Sequence, residues 1–319
     1  MSVGLSRVAV RLPRGMEPVD DIMVRAGCGT TERKMFAKIY GLHQSPTLAP
    51  DEQMQDLLLE AGRAALDGGT AAMVLYGHTL LTQEFGLRGG FADQLRAGLG
   101  VPGAGFFGFS HINCTSVLRC VEYARRYLTS SEAGPDDRVL VLGGDQGSIS
   151  DQSRYVPGMT VGGDAAVGVL VQRSTADSGP RYRYLGGAVG RDARFHRNLK
   201  MDAAETALYG QVCAEQTVHT MQRAAHVAGL GADQIDWVMP HLSNRMFWRT
   251  FSSRSGIARE RICLDLLPEQ GHTFGADSLM ALEHADRTGR LRPGDRCALI
   301  SIGQGAYFQT VIVEVEEDR

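Results

Sequence analysis

Apolar runs of strand length, each bounded by turn residues, alternate along the chain with stretches of helical spacing. Asp137-Arg-Val-Leu-Val-Leu-Gly-Gly-Asp-Gln-Gly147 reads as a charged turn, an apolar strand and a glycine turn. Asp295-Arg-Cys-Ala-Leu-Ile-Ser-Ile-Gly-Gln-Gly305 repeats it without a gap at an offset of 158 residues. Such uninterrupted runs suit strands buried on both faces of a parallel sheet. Each copy is preceded by a helix-then-strand unit, Leu57 to Leu75 and Ala214 to Met239, and followed by another apolar strand, Ala165 to Val171 and Thr310 to Val315. The repeat predicts an α/β chain of two similar halves, residues 1–175 and 176–319. A polar connector, Gln172 to Arg183, predicts a surface crossing between them, and the longest stretch without a pattern runs from Gly186 to Ala203.

The length of 319 residues fits one large α/β unit or two fused halves. Hydrophobic content of 43% and charged content of 22% place it with ordinary globular proteins. A net charge of −3 argues against a broad nucleic-acid or membrane-surface footprint, and no apolar run approaches the length of a membrane span. The start, Met1-Ser-Val-Gly-Leu5, has no basic region followed by an apolar core, so no secretory signal is expected. Six scattered cysteines without CxxC pairs fit neither a disulfide framework nor a metal site, which points to a reducing cytoplasm.

Cys114 ends the glycine- and aromatic-rich stretch Gly103 to Ser116 and opens a helical pattern, with Val117, Leu118, Val121, Ala124 and Leu128 on one side. At a helix start, free N–H groups and the positive dipole end favour thiolate, a nucleophile toward thioesters whose tetrahedral oxyanion a neighbouring N–H can bind. The plain alternative is a small buried cysteine, and that reading suits Cys120, Cys213, Cys263 and Cys297. Cys28 sits in an exposed-looking turn but lacks the helix start.

Two of the nine histidines fall where chemistry needs them. His241 follows a short strand, in Pro240-His-Leu-Ser-Asn244. His272 lies in the loop Gly271-His-Thr-Phe-Gly-Ala-Asp-Ser278. Cys114 to Asp137 and His272 to Asp295 both span 23 residues, so the repeat brings Cys114 and His272 together. Asp277 is near enough to fix the His272 tautomer as a nucleophile–base–orienter triad requires; alternatively it is a helix-start charge.

These ordered motifs, with Val161-Gly-Gly-Asp-Ala-Ala-Val-Gly168 and the terminal Gly303-Gln-Gly305 turn, resemble ketoacyl-acyl-carrier-protein synthase III over roughly residues 50–319. The resemblance implies a thiolase fold, duplicated βαβαβ halves in a five-layered α-β-α-β-α arrangement, and a homodimer. It also implies an acyl carrier protein as partner, no permanently bound cofactor, and a phosphopantetheine-linked acyl thioester as donor. The family's condensing enzymes use Cys, His and Asn. Here His272, backed by Asp277, stands in place of the Asn, which resembles the acyl-transferring branch of natural-product pathways. The implied reaction moves an acyl group through Cys114 to a hydroxyl, amine or carrier thiol, with His272 as base. A decarboxylating condensation using His241 and His272 is the second reading, and an inactive heterodimer subunit the third. The family's Trp/Arg segment for coenzyme A is not recognisable in Arg25 to Arg33, which favours a carrier-protein donor. By resemblance the oxyanion hole uses the N–H of Cys114 and of Gln304. Asn244 and Arg245 are candidate substrate contacts. Arg245, Arg249 and Arg254 make a basic face for an acidic carrier or a solvated surface. Phe106 and Phe107 line an acyl channel or simply pack in the core.

Overall fold

Nine strands form one continuous sheet whose order repeats itself from the middle outward. The computed structural model describes residues 2–80, 90–175, 179–197 and 200–317. The strands are β1 (Val3–Arg11), β2 (Met73–Gly77), β3 (Gly105–Phe109), β4 (Val139–Asp145), β5 (Ala165–Arg173), β6 (Tyr182–Arg191), β7 (Trp237–Met239), β8 (Arg296–Gly303) and β9 (Tyr307–Val315). From β1 the order runs β1-β5-β4-β2-β3; from its neighbour β6 it runs β6-β9-β8-β7. A parallel bridge between Val238 and Ile262 stands where β3 stands in the first series. The repeated segments are therefore equivalent strands: β4 is parallel to β2 and antiparallel to β5, as β8 is parallel to β7 and antiparallel to β9. The surroundings are mixed rather than all-parallel, because the strand after each glycine turn folds back as a hairpin.

The period of two along these strands builds the layers. Val139 and Val141 of β4, and Leu299 and Val311 of the other half, face a central core. Their neighbours Leu140 and Leu142 face one outer core, while Ala298, Ile300 and Ile312 face the other. Helices α1 (Met54–Leu66) and α3 (Ala203–Val227) cover the two outer faces. The central layer holds α2 (Ser116–Leu128) and α5 (Asp277–Arg287). The result is the expected α-β-α-β-α stack.

Part of the patternless stretch from Gly186 is strand: β6 extends to Arg191. Its glycines hid it. A Cβ at Gly186 would stand 2.7 Å from the backbone N of Ala228, at the end of α3, so only glycine lets that helix lie so close. Among the described residues, no helix is long and apolar enough to cross a membrane.

Candidate active site

The loops entering α2 and α5 meet under the central layer, and they repeat one backbone device. Cys114 lies in the short 3₁₀ turn Asn113–Thr115 that runs into α2. The residue before it, Asn113, and the residue before His272, Gly271, both have left-handed backbone (φ 52° and 58°). In each case the chain reverses sharply, so the next side chain points between the halves. For a non-glycine residue this conformation is uncommon, and Asn113 is held in it by its side chain, whose Nδ2 donates to the carbonyl of Gln304 at 2.7 Å. Ser301 Oγ donates to the carbonyl of Cys114 at 2.6 Å.

Cys114 Sγ is 3.8 Å from His272 Nε2. On the other side of the ring, His272 Nδ1 donates to Asp277 Oδ2 at 2.6 Å. That carboxylate is buried and fully engaged. Oδ1 accepts from the backbone N–H of Thr273 at 2.6 Å and its hydroxyl at 2.8 Å, and Oδ2 also accepts from the N–H of Leu242 at 2.7 Å. The Leu242 bond ties the His241 turn to the same carboxylate. Trp248 Nε1 donates to the carbonyl of His241 at 2.7 Å, and Asn244 caps the helix α4 (Arg245–Ser255) by accepting from the N–H of Phe247. His241 thereby packs edge-on against His272 with ring centres 4.4 Å apart and its Nδ1 3.5 Å from Asp277 Oδ2.

Burial alone would push the His272 imidazole down, but the charge and hydrogen bond of Asp277, helped by Cys114, outweigh it and hold the group up at about 10. Burial pushes Asp277 up, and the two histidines and the Thr273 N–H overcome that, leaving it below the ordinary range. His241 goes the other way. Burial first, then the charge on His272, lower it to about 3. Two adjacent imidazoles therefore carry different protonation: His272 is the cation and His241 is neutral. Nearby, burial raises Asp145 to about 7, while its Oδ1 accepts from the N–H groups of Thr79 and Leu80.

Nitrogen and oxygen atoms of His241, His272 and Asp277 lie within 4.8 Å of one another, a grouping able to hold a metal ion. Two ligands about 2.1 Å from a tetrahedral ion stand about 3.4 Å apart, so the 2.6 Å contact between His272 and Asp277 is a hydrogen bond. All of these side chains except Asp277 line a cavity of about 670 Å³ with Cys114, Gln304 and Asn244 on its wall.

Residues 225–315 match the family described as 3-Oxoacyl-[acyl-carrier-protein (ACP)] synthase III C terminal. The beta-ketoacyl-[acyl-carrier-protein] synthase III of Paracoccus denitrificans is 28% identical, with 92% of this chain and 90% of that protein aligned. The chain is thus similar to ketoacyl synthase III proteins. Its fold is shared over 100% of both chains with the solved 3-oxoacyl-(acyl carrier protein) synthase III of Pseudomonas aeruginosa (TM-score 0.82, 21% identity). It is shared equally with ChlB3, an acyltransferase (TM-score 0.84, 16% identity, 99% of this chain and 98% of that one).

Three expected contacts lie outside the cavity. Phe106 and Phe107 belong to β3, the outermost strand: Phe106 packs edge-to-face on Phe91 in an outer core, and Phe107, on the opposite face, is 54% exposed. Neither forms an acyl channel within the described residues, because β3 runs along the sheet edge rather than over Cys114. Arg245 is exposed at the start of α4 and packs on Gly41. The wall residues that sequence reasoning missed are Tyr209 and Cys213 of α3 and Met159 of the loop after β4. Tyr209 and Cys213 are one helical turn apart, so they share a face, but nothing in the pattern says which face of α3 looks into a cavity.

Proposed function

We propose that this chain is an acyltransferase that carries its acyl group on Cys114. The observation that carries the reading is the series Cys114 Sγ–His272–Asp277, with contacts of 3.8 and 2.6 Å. Cys114 Sγ, its proton already resting on the His272 imidazolium, attacks the carbonyl of a phosphopantetheine-linked acyl thioester. The oxyanion is held by the N–H groups of Cys114 and Gln304. The tetrahedral adduct collapses, the carrier sulfur leaves, and it takes the proton from His272. Acylation removes the cysteine charge that helped hold the proton on His272, so the imidazole is freed to act as base. It then takes the proton of a hydroxyl, amine or thiol acceptor as that atom attacks the acyl carbonyl, and Cys114 departs. Neutral His241 donates a hydrogen bond to the thioester oxygen or relays the acceptor proton.

The donor is an acyl carrier protein. It docks on the exposed Arg245 and Arg249 of α4 beside the cavity, while Arg254 is occupied by Glu215 at 3.6 Å. The working form is a homodimer. The outer edge of β3, Gly-Phe-Phe-Gly-Phe, carries no charged residue to discourage pairing with a second copy. The second reading is condensation, favoured by the names of the curated relatives, which are beta-ketoacyl-[acyl-carrier-protein] synthases III. Product mass separates the two. With a malonyl or simple acyl thioester and candidate acceptors, transfer gives a new ester or amide that retains all the donor carbon. Condensation gives a ketone with loss of carbon dioxide, and that outcome would overturn the proposal.

A further inference from the structure

The chamber above Cys114 shares a wall with a second, smaller cavity. The two measure about 670 and about 200 Å³, and Met159, Tyr209 and Gln304 line both. Gln304 is held through its carbonyl, which accepts from Asn113 Nδ2, so its backbone cannot yield without moving the nucleophile's turn. Met159 is held through its carbonyl, which accepts from Asn244 Nδ2 at 3.0 Å. Its thioether side chain is free to repack. Tyr209 is different. It is buried on the wall common to both cavities, with its ring edge-on to Phe195 at a centre distance of 5.2 Å, and Phe195 is itself buried. An aromatic ring braced in this way cannot swing aside without losing that packing.

We propose that Tyr209 is the specificity-determining residue that limits the length of the acyl group on Cys114, by closing the main chamber against the smaller cavity. The proposal rests on the acyl-Cys114 reading above, though not on which acceptor discharges it. A chain that outgrows the main chamber meets the Tyr209 ring. With the ring removed, the same chain gains the smaller cavity, room for several methylene groups between Pro157, Met201 and Thr206. Each methylene buried there is worth about fourfold in binding. The wall offers apolar surface at this point, so the chain accommodated is an aliphatic one.

The test is a loading assay with straight-chain acyl-pantetheine thioesters of increasing length, followed by intact mass. The wild-type chain should show a length beyond which loading of Cys114 falls steeply. Tyr209→Ala should move that limit to longer chains, with a gain of about fourfold per added methylene until the smaller cavity is full. Met159→Ala opens the same wall from a loop rather than a helix and should shift the limit in the same direction; it decides the question if Tyr209→Ala fails to fold. Tyr209→Phe keeps the ring and should leave the limit unchanged. A limit that stays in place in both alanine variants, with wild-type unfolding profiles, would overturn the role of Tyr209 alone. If no thioester of any length loads the wild-type chain, the acyl-Cys114 reading fails, and this proposal with it.

Discussion

Replacing Asp277 with asparagine changes one oxygen and one charge at the most densely bonded point of the site. The native carboxylate accepts from the Leu242 N–H, the Thr273 N–H and hydroxyl, and His272 Nδ1. An amide has one oxygen to offer, and its NH2 group meets a backbone N–H whether it takes the place of Oδ1 or of Oδ2. Whichever way it turns, at least one buried N–H loses its acceptor, a cost of about 1–3 kcal/mol, and the protein should remain folded but less stable. The larger effect is on His272. The charge of Asp277 is what lifts the imidazole to about 10 against its burial. Without it burial prevails, the ring is neutral at pH 7, and nothing fixes which nitrogen faces Cys114. Acyl transfer to a hydroxyl acceptor should fall by about 10²-fold or more, the usual size of general-base catalysis. Self-loading should fall less, because a thiol is a better nucleophile than an alcohol. The assay is single-turnover: intact mass follows acyl addition to Cys114 from a carrier thioester, then its loss on adding acceptor. An Asp277→Asn protein that folds and discharges its acyl group at the wild-type rate would refute the assignment of His272 as an oriented base.

Other outcomes follow from the same geometry. Cys114→Ala should abolish the acyl adduct, and peptide mapping checks that none appears at Cys213 or Cys28. His241→Ala should slow turnover by about 10-fold or more while leaving Cys114 open to alkylation, since His241 packs on the His272 ring and it is His272 that meets Sγ. Stability should depend on pH through His272. Its folded-state value is raised, so its contribution is complete below about pH 6.5 and is lost as the pH climbs through about 10. Urea midpoints across that window should fall for the wild type and stay nearly flat for Asp277→Asn.

How much of this was legible depends on what burial does to sequence. The strands β4 and β8 are buried on both faces, so their apolar runs stand out and their repetition at 158 residues is visible. The same offset separates Cys114 from His272, whose side chains lie 3.8 Å apart. Asp277 was legible because its partner is local in sequence. Strand β6 was obscured because helix packing demanded glycines at positions a strand would fill with branched residues. Phe106 and Phe107 left channel lining and core packing both open, because an aromatic pair near a nucleophile in sequence says nothing about which way an edge strand faces; Phe106 packs in an outer core and Phe107 is exposed. Tyr209 reaches the cavity from a helix nearly a hundred residues away in sequence. Its role is set by how α3 lies on β6 and β9, which no local pattern encodes.

The turn that presents Cys114 is clamped from the far half of the chain. Asn113 reaches Gln304, Ser301 reaches the carbonyl of Cys114, and a Cβ at Gly303 would collide with the carbonyl of Ile112 at 2.5 Å. The two hydrogen bonds span 191 and 187 residues. Contacts so distant in sequence require large loops to close before they reward the chain, so they form late in folding. Helix content should therefore return early during refolding, while a Cys114 able to accept an acyl group returns only with the last docking step. Nascent or partly folded chains thus hold the thiol in an unformed turn, and acylation becomes a report that both halves have closed.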